Sequence, residues 1–176
     1  MTRYRRAFVP VATYFFTVNL ADRSTTLLVD HIDLLREAIR YTRKRYPFVI
    51  DAMVVMPDHL HAVWTLPPGD ADFPIRWRLM KTLFSRNLPH GEHRRASRVS
   101  RGERGIWQRR YWEHLIRDET DYARHVDYIH WNPVKHGHVV QVLDWPYSTF
   151  HRFVRDGVLA EGWGRDGDDA GFGERP

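Results

Sequence analysis

Apolar and polar residues alternate most cleanly over residues 13–20. Tyr14, Phe16, Val18 and Leu20 fall on one side and Thr13, Thr17 and Asn19 on the other, which predicts a half-buried strand. Over residues 30–46 the period lengthens. Ile32, Leu35 and Ile39, with Leu34 and Ala38 beside them, form a helical stripe, with Asp30 as its cap and Pro47 as its stop. Residues 48–56 and 60–66 are two further strand-like runs, and Pro57-Asp58 between them predicts an antiparallel pair. A basic helix follows over residues 73–87, then a basic loop over 88–105 with little apolar content. Residues 107–116 read as a fourth strand. Asp118 caps a helix from Glu119 to about Trp131, which Pro133 should prevent from continuing. Residues 139–143 fit neither period, and Asp144-Trp145-Pro146 introduces a last short helix near 148–155.

The order strand, helix, strand, strand, helix, strand predicts an α+β fold. It is the ferredoxin-like βαββαβ pattern, an antiparallel four-stranded sheet with helices on one face. To this are added the helix from Glu119 and the short C-terminal helix. Residues 1–163 form one domain in this reading, and the Gly- and Asp-rich residues 164–176 are a tail with little to bury.

Composition narrows the chemistry. The chain has no cysteine, so thiolate metal sites, disulfides and cysteine nucleophiles are excluded. No signal-like or membrane-length apolar run is present, which predicts a cytoplasmic, nucleoid-associated protein with no membrane partner. The net charge of +5 is unevenly spread. Residues 76–110 hold eleven Arg and Lys against Glu92 and Glu103, while the tail from Asp156 is acidic. Nearly all the cations are arginine, which binds phosphate in bidentate fashion and stacks on bases, and Trp77, Phe84, Trp107, Tyr111 and Trp112 lie among them. The pattern points to nucleic acid.

Two segments carry candidate chemistry. His59-Leu60-His61 places two imidazoles on one side of a strand, roughly 7 Å apart at their bases, with Leu60, Ala62 and Trp64 on the other side. By itself the motif is weak. Eleven histidines in 176 residues give roughly 0.7 such pairs by chance, and His136-Gly137-His138 supplies a second one in a loop. The helix from Glu119 adds Tyr128 on a polar stripe with Asp121, His125 and Asn132, beside a buried stripe of Tyr122, Val126 and Ile129. An exposed Tyr128 suits nucleophilic attack on a phosphodiester, and Asn132, one turn on, can give a third metal ligand. Two histidines and one oxygen suit Mg²⁺ or Mn²⁺.

These segments resemble the REP-associated tyrosine transposases, single-tyrosine HUH transposases of the insertion-sequence-200-like kind. The matching runs are Tyr14-Phe15-Phe16-Thr17-Val18-Asn19-Leu20, VVMPDHLHAVWTLP, Ile106-Trp107-Gln108 with RYWEHLIRD, HVDYIHWNPVKHG and DWPYSTFHR. The resemblance implies a metal-dependent endonuclease and transesterase. It would cleave and rejoin single-stranded hairpins of repetitive extragenic palindromes, leaving a 5′-phosphotyrosine and a 3′-hydroxyl. It assigns Tyr128 as nucleophile and His59, His61 and Asn132 to the metal. Hairpin contacts fall to Arg3, Tyr4, Arg5 and Arg6, and to the basic helix with Arg76, Arg78 and Lys81. Arg109 and Arg110 are further candidates. The basic loop and the tail depart from the family pattern.

Other residues have blander readings. His114 is expected to pack in the sheet, His125 to lie at the surface or assist proton transfer, and Asp58 to orient an imidazole or end a strand. Trp107 and Trp112 are expected in the core, with base stacking the minority reading. A non-catalytic hairpin-binding regulator with the same fold is the alternative function, and a hydrolytic metallonuclease is a third. A monomer is slightly favoured over a dimer.

Overall fold

The computed structural model describes residues 12–89 and 104–164. The N-terminal arm with Arg3–Arg6, most of the basic loop and the tail beyond residue 164 lie outside the described residues. The elements are β1 (Thr13–Asn19), α1 (Leu27–Asp30), α2 (Ile32–Arg45), β2 (Val49–Val55) and β3 (His59–Thr65). After them come α3 (Phe73–Asn87), β4 (Trp112–Leu115), α4 (Glu119–Lys135) and α5 (Phe150–Arg155). The strands make one antiparallel sheet in the order β2-β3-β1-β4, which is the ferredoxin-like arrangement.

The alternation in β1 decides what each sheet face buries. Tyr14, Phe16, Val18 and Leu20 join Leu60, Ala62 and Trp64 under α2 and α3. There Trp64 stacks on Trp77 with centroids 4.0 Å apart, an aromatic contact of about 1 kcal/mol beyond its area. Phe15 faces the other way, into a second cluster with Ala52, Val54, Val63, Val126, Tyr128 and Ile129. The sheet is therefore covered on both faces, with α4 on the second and Trp145 and Phe153 packed at its side.

Several boundaries differ from the sequence expectation. Asp30 does not cap α2; it ends the short helix α1, where its carboxylate accepts a hydrogen bond from Thr26, and His31 precedes α2. β4 is shorter than expected, because Trp107 leaves the sheet after a single bridge to Leu20. α4 runs through Pro133 to Lys135. A proline removes one N–H and crowds the carbonyl four residues back, but one missing bond in the last turn is tolerated when the flanking residues are packed, as Ile129 and Asn132 are. The helix closes instead at Gly137, whose φ of 70° suits glycine, with Gly137 N–H donating to the Val134 carbonyl at 2.9 Å.

The DWPYST segment clips the open edge of β2. Val55 N–H donates to the Tyr147 carbonyl (2.9 Å), Met53 N–H to Thr149 Oγ1 (2.9 Å) and the Trp145 indole to the Val55 carbonyl (3.0 Å). An otherwise unpaired strand edge is thereby protected from pairing with another chain.

Arg76, expected on the DNA-facing surface, is instead fully buried in α3. Its guanidinium donates to both oxygens of Asp70, at 3.1 and 2.5 Å, and to the carbonyls of Tyr46, Pro47 and Asp72. These bonds hold the Asp70 carboxyl below its usual range. Arg76 thus ties α3 to the α2–β2 turn and is not available to phosphate, whereas Arg78 on the same helix is exposed. Arg76→Leu, which strands these acceptors, is expected to reduce the unfolding free energy in urea by about 2–3 kcal/mol, against less than about 0.5 kcal/mol for Arg78→Ala.

Candidate metal and nucleophile site

β3 places His59 and His61 on the face covered by α4, since Thr17 pairs with His61 and Phe15 with Val63. Asp58 and His59 are fixed by the turn: Leu20 N–H donates to the Asp58 carbonyl and Met56 N–H to the His59 carbonyl, both at 2.8 Å. Each imidazole is then oriented through its Nδ1. His59 Nδ1 donates to Asp58 Oδ1 at 2.7 Å, and Arg23 grips the same carboxylate. His61 Nδ1 lies 2.9 Å from Thr17 Oγ1. Burial pushes Asp58 up, but the bonds from Arg23 and His59 outweigh it and hold the carboxylate ionised.

Burial pushes the His61 ring well below the ordinary imidazole value, helped by the charges of His59 and His136. It lowers His59 as well, although Asp58 and the neighbouring Asn132 pull that value back up. Neutral imidazoles with an anchored Nδ1 and an available Nε2 are what a metal requires. His61 Nε2 is buried without a hydrogen-bond partner, and so are both side-chain polar atoms of the fully buried Asn132. Unsatisfied buried polar groups are costly, and together these donors fit a divalent ion bound among His59, His61 and Asn132.

The same helix brings Tyr128 to this spot. Its ring meets His61 edge-on at 5.1 Å between centroids and Phe15 at 6.0 Å. The expectation of an exposed tyrosine is overturned: Tyr128 is 7 % exposed, because the stripe of Asp121, His125, Tyr128 and Asn132 faces the sheet. Nucleophile candidate and ligand candidates meet within one copy of the chain.

Sequence reasoning missed several neighbours. Lys135 sets its ammonium 4.7 Å from the centre of the Tyr128 ring. His136, half of the pair treated as a chance match, lies 5.5 Å from His59 between ring centroids. Its position one turn after Asn132 was the signal available. Thr17 and Arg23 act across strands and gave none.

His114 is not simply packed in the sheet. With Asp121 and His125 it forms a cluster whose donor atoms lie within 4.8 Å of one another, a set capable of coordinating a metal ion. On the opposite face, a cleft of about 860 Å³ between α3 and residues 104–111 is bordered by Arg78, Lys81, Arg86 and Arg109. Lys81 donates to the Gln108 carbonyl at 2.8 Å, and Arg109 and Arg110 are exposed. Trp107 is buried, as expected, but Trp112 is 43 % exposed. No described helix is long and apolar enough to cross a membrane.

No family model matches the chain. The REP-associated tyrosine transposase of Escherichia coli strain K12 is 47 % identical over 175 residues, 99 % of this chain and 98 % of that protein. A Haemophilus influenzae protein of the same description is 48 % identical over 170 residues, 96 % of each. A solved structure of such a transposase bound to a REP hairpin superimposes with a TM-score of 0.83 at 46 % identity, covering 100 % of this chain and 99 % of that one.

Thr17→Val keeps the branched shape but removes the hydroxyl that orients His61. The expected result is a Mn²⁺ affinity about 10–100-fold weaker by calorimetry, with an unchanged far-ultraviolet circular dichroism spectrum.

Proposed function

The chain belongs to the REP-associated tyrosine transposases, and on that premise we propose that it cleaves and rejoins single-stranded DNA at repetitive extragenic palindrome hairpins through a 5′-phosphotyrosine intermediate. The observation that carries this reading is the edge-on contact of Tyr128 with His61 beside the unpartnered His61 Nε2 and Asn132 amide.

His59, His61 and Asn132 are the residues proposed to hold Mg²⁺ or Mn²⁺. When bound, such an ion neutralises a non-bridging phosphate oxygen and polarises the phosphorus. The chain's own groups supply the rest. The Tyr128 oxygen attacks phosphorus as the bond to the 3′ oxygen breaks. That oxygen leaves with a proton as a 3′-hydroxyl, and the 5′ phosphate stays on the tyrosine. A 3′-hydroxyl attacking the phosphotyrosine reverses the step and rejoins the strand. The Lys135 ammonium, 4.7 Å from the centre of the Tyr128 ring, sets a positive charge beside the tyrosine, where the negatively charged phosphodiester must approach. Phe15, 1 % exposed, walls the tyrosine from one side.

For the partner, the hairpin-bound relative supports a single-stranded hairpin as substrate. Arg78, Lys81, Arg109 and Arg110 border or flank the basic cleft and are the described candidates for phosphate contacts. The sites assigned to Arg3, Tyr4, Arg5 and Arg6 lie outside the described residues.

Incubating the protein with an end-labelled hairpin oligonucleotide and Mg²⁺ or Mn²⁺ is expected to give a protein–DNA adduct that survives denaturation. Tyr128→Phe should abolish the adduct and leave hairpin binding intact. An adduct formed by that variant would refute the mechanism, and hairpin binding without any adduct in the wild type would favour the regulator. Lys135→Met is expected to slow adduct formation by about 10–100-fold while hairpin binding is retained, because the phosphodiester loses a cation beside the attacking tyrosine.

A further inference from the structure

Trp112 is the large aromatic that the fold leaves on the surface of the catalytic side of the sheet. At 43 % exposure it stands apart from Trp64, Trp77 and Trp107, all 7 % exposed or less. The strand register fixes which side it occupies. Thr17 pairs with His61 on one flank and with Trp112 on the other. Directly opposed residues share a sheet face, and Thr17 makes its hydrogen bond to His61 on that face. Trp112, Thr17 and His61 therefore form one row, and two strand spacings, about 9.5 Å, separate the backbones of Trp112 and His61.

The indole is also held still. Phe15 abuts it edge-on at 5.6 Å, and the same Phe15 ring touches His61 and Tyr128. His114, two residues along β4, lies parallel to the indole within 5° at 5.7 Å, and His125 stacks on His114 at 4.7 Å. Asp121 locks both imidazoles. Its carboxylate accepts from His114 Nε2 at 2.8 Å and from Arg117 N–H at 3.0 Å, and its main-chain carbonyl accepts from His125 Nδ1 at 2.7 Å. Those bonds give the three donors of the His114–Asp121–His125 cluster partners without an ion, which contrasts with the unpartnered atoms at His61 and Asn132. Exposed Arg117, two residues beyond the end of β4, pairs with Asp121 at 3.5 Å and sets a cation near this end of the strand.

An exposed, rigid, flat ring beside a phosphodiester site matches the chemistry of one occupant, the face of an unpaired base. We propose that Trp112 is a stacking platform for an unpaired base adjacent to the scissile phosphate, kept in plane by the His114–Asp121–His125 cluster. The assignment rests on the cleavage reading above for the position of that phosphate.

The test uses synthetic hairpin oligonucleotides with an unpaired foot, each carrying 2-aminopurine at a single foot position. With the full chain, quenching of 2-aminopurine fluorescence is expected at one foot position next to the cleavage point. Trp112→Ala should remove that quenching and weaken hairpin binding by about 5–100-fold. Trp112→Phe, which keeps a stacking face, should restore most of both. In the cleavage assay the alanine variant should raise KM while kcat stays within about threefold, and melting curves should show the same folded state for all three proteins. Unchanged quenching and affinity in Trp112→Ala, or no quenched position in the wild type, would overturn the platform even if the adduct forms normally. Quenching that depends on Trp112 without any adduct would leave the platform standing and sink the cleavage reading instead.

Discussion

The arrangement depends on α4 lying across the sheet face that carries His59 and His61. That face is polar at its centre, and a helix covering it must either pair those groups or leave them for a ligand. α4 anchors itself with Val126 and Ile129, which are buried against Phe15, Ala52, Val54 and Val63. This apolar contact helps to offset the desolvation of His61 Nε2 and of the Asn132 amide, which have no hydrogen-bond partner. Hydrophobic packing around the tyrosine thus helps to bring it to the histidines.

Phe15 is the hinge of this logic. It belongs to β1, whose other side builds the main core under α2 and α3, so the strand is held from behind by an independent cluster. On the catalytic side its ring touches His61, Tyr128, His125 and Trp112 at centroid distances of 4.6–6.0 Å. One apolar side chain therefore sets the spacing of His61, Tyr128 and the exposed indole. A sheet covered on both faces is stiff, which suits a reaction that needs the attacking oxygen in line with phosphorus.

The basic surface divides by what each cation does. Arg76 is spent on the fold, with Asp70 and three carbonyls around it, while Arg78, two residues on and on the other side of the helix, remains solvated. Two arginines of one helix, two residues apart, thus have unrelated roles, and their charge alone does not separate them. Lys135 is exposed yet sits over the tyrosine ring, so its charge acts at the site rather than in the basic cleft on the far face.

Local pattern was enough for the elements themselves. Alternation in residues 13–20 separated Phe15 and Thr17 from Tyr14 and Phe16, and Asp72 with Pro74 started α3 where the periodicity placed it, the Asp72 carboxylate accepting from Ile75 N–H at 3.0 Å. The ordered motifs identified the family and singled out His59, His61, Tyr128 and Asn132, because strand period and helical period each put the relevant pair on one face. Tertiary structure alone decided which face of α4 is buried, since a stripe of Asp, His, Tyr and Asn reads as a solvated flank until a partner surface with its own polar groups is known. It also decided that Asn132 stays helical beside Pro133, that Arg76 is internal, and that His136 is a neighbour of His59 rather than a chance histidine. Those outcomes come from contacts between residues tens of positions apart, such as Thr17 with His61 and Arg23 with Asp58. Sequence period describes what a segment presents, and only the packing of segments against one another determines what it meets.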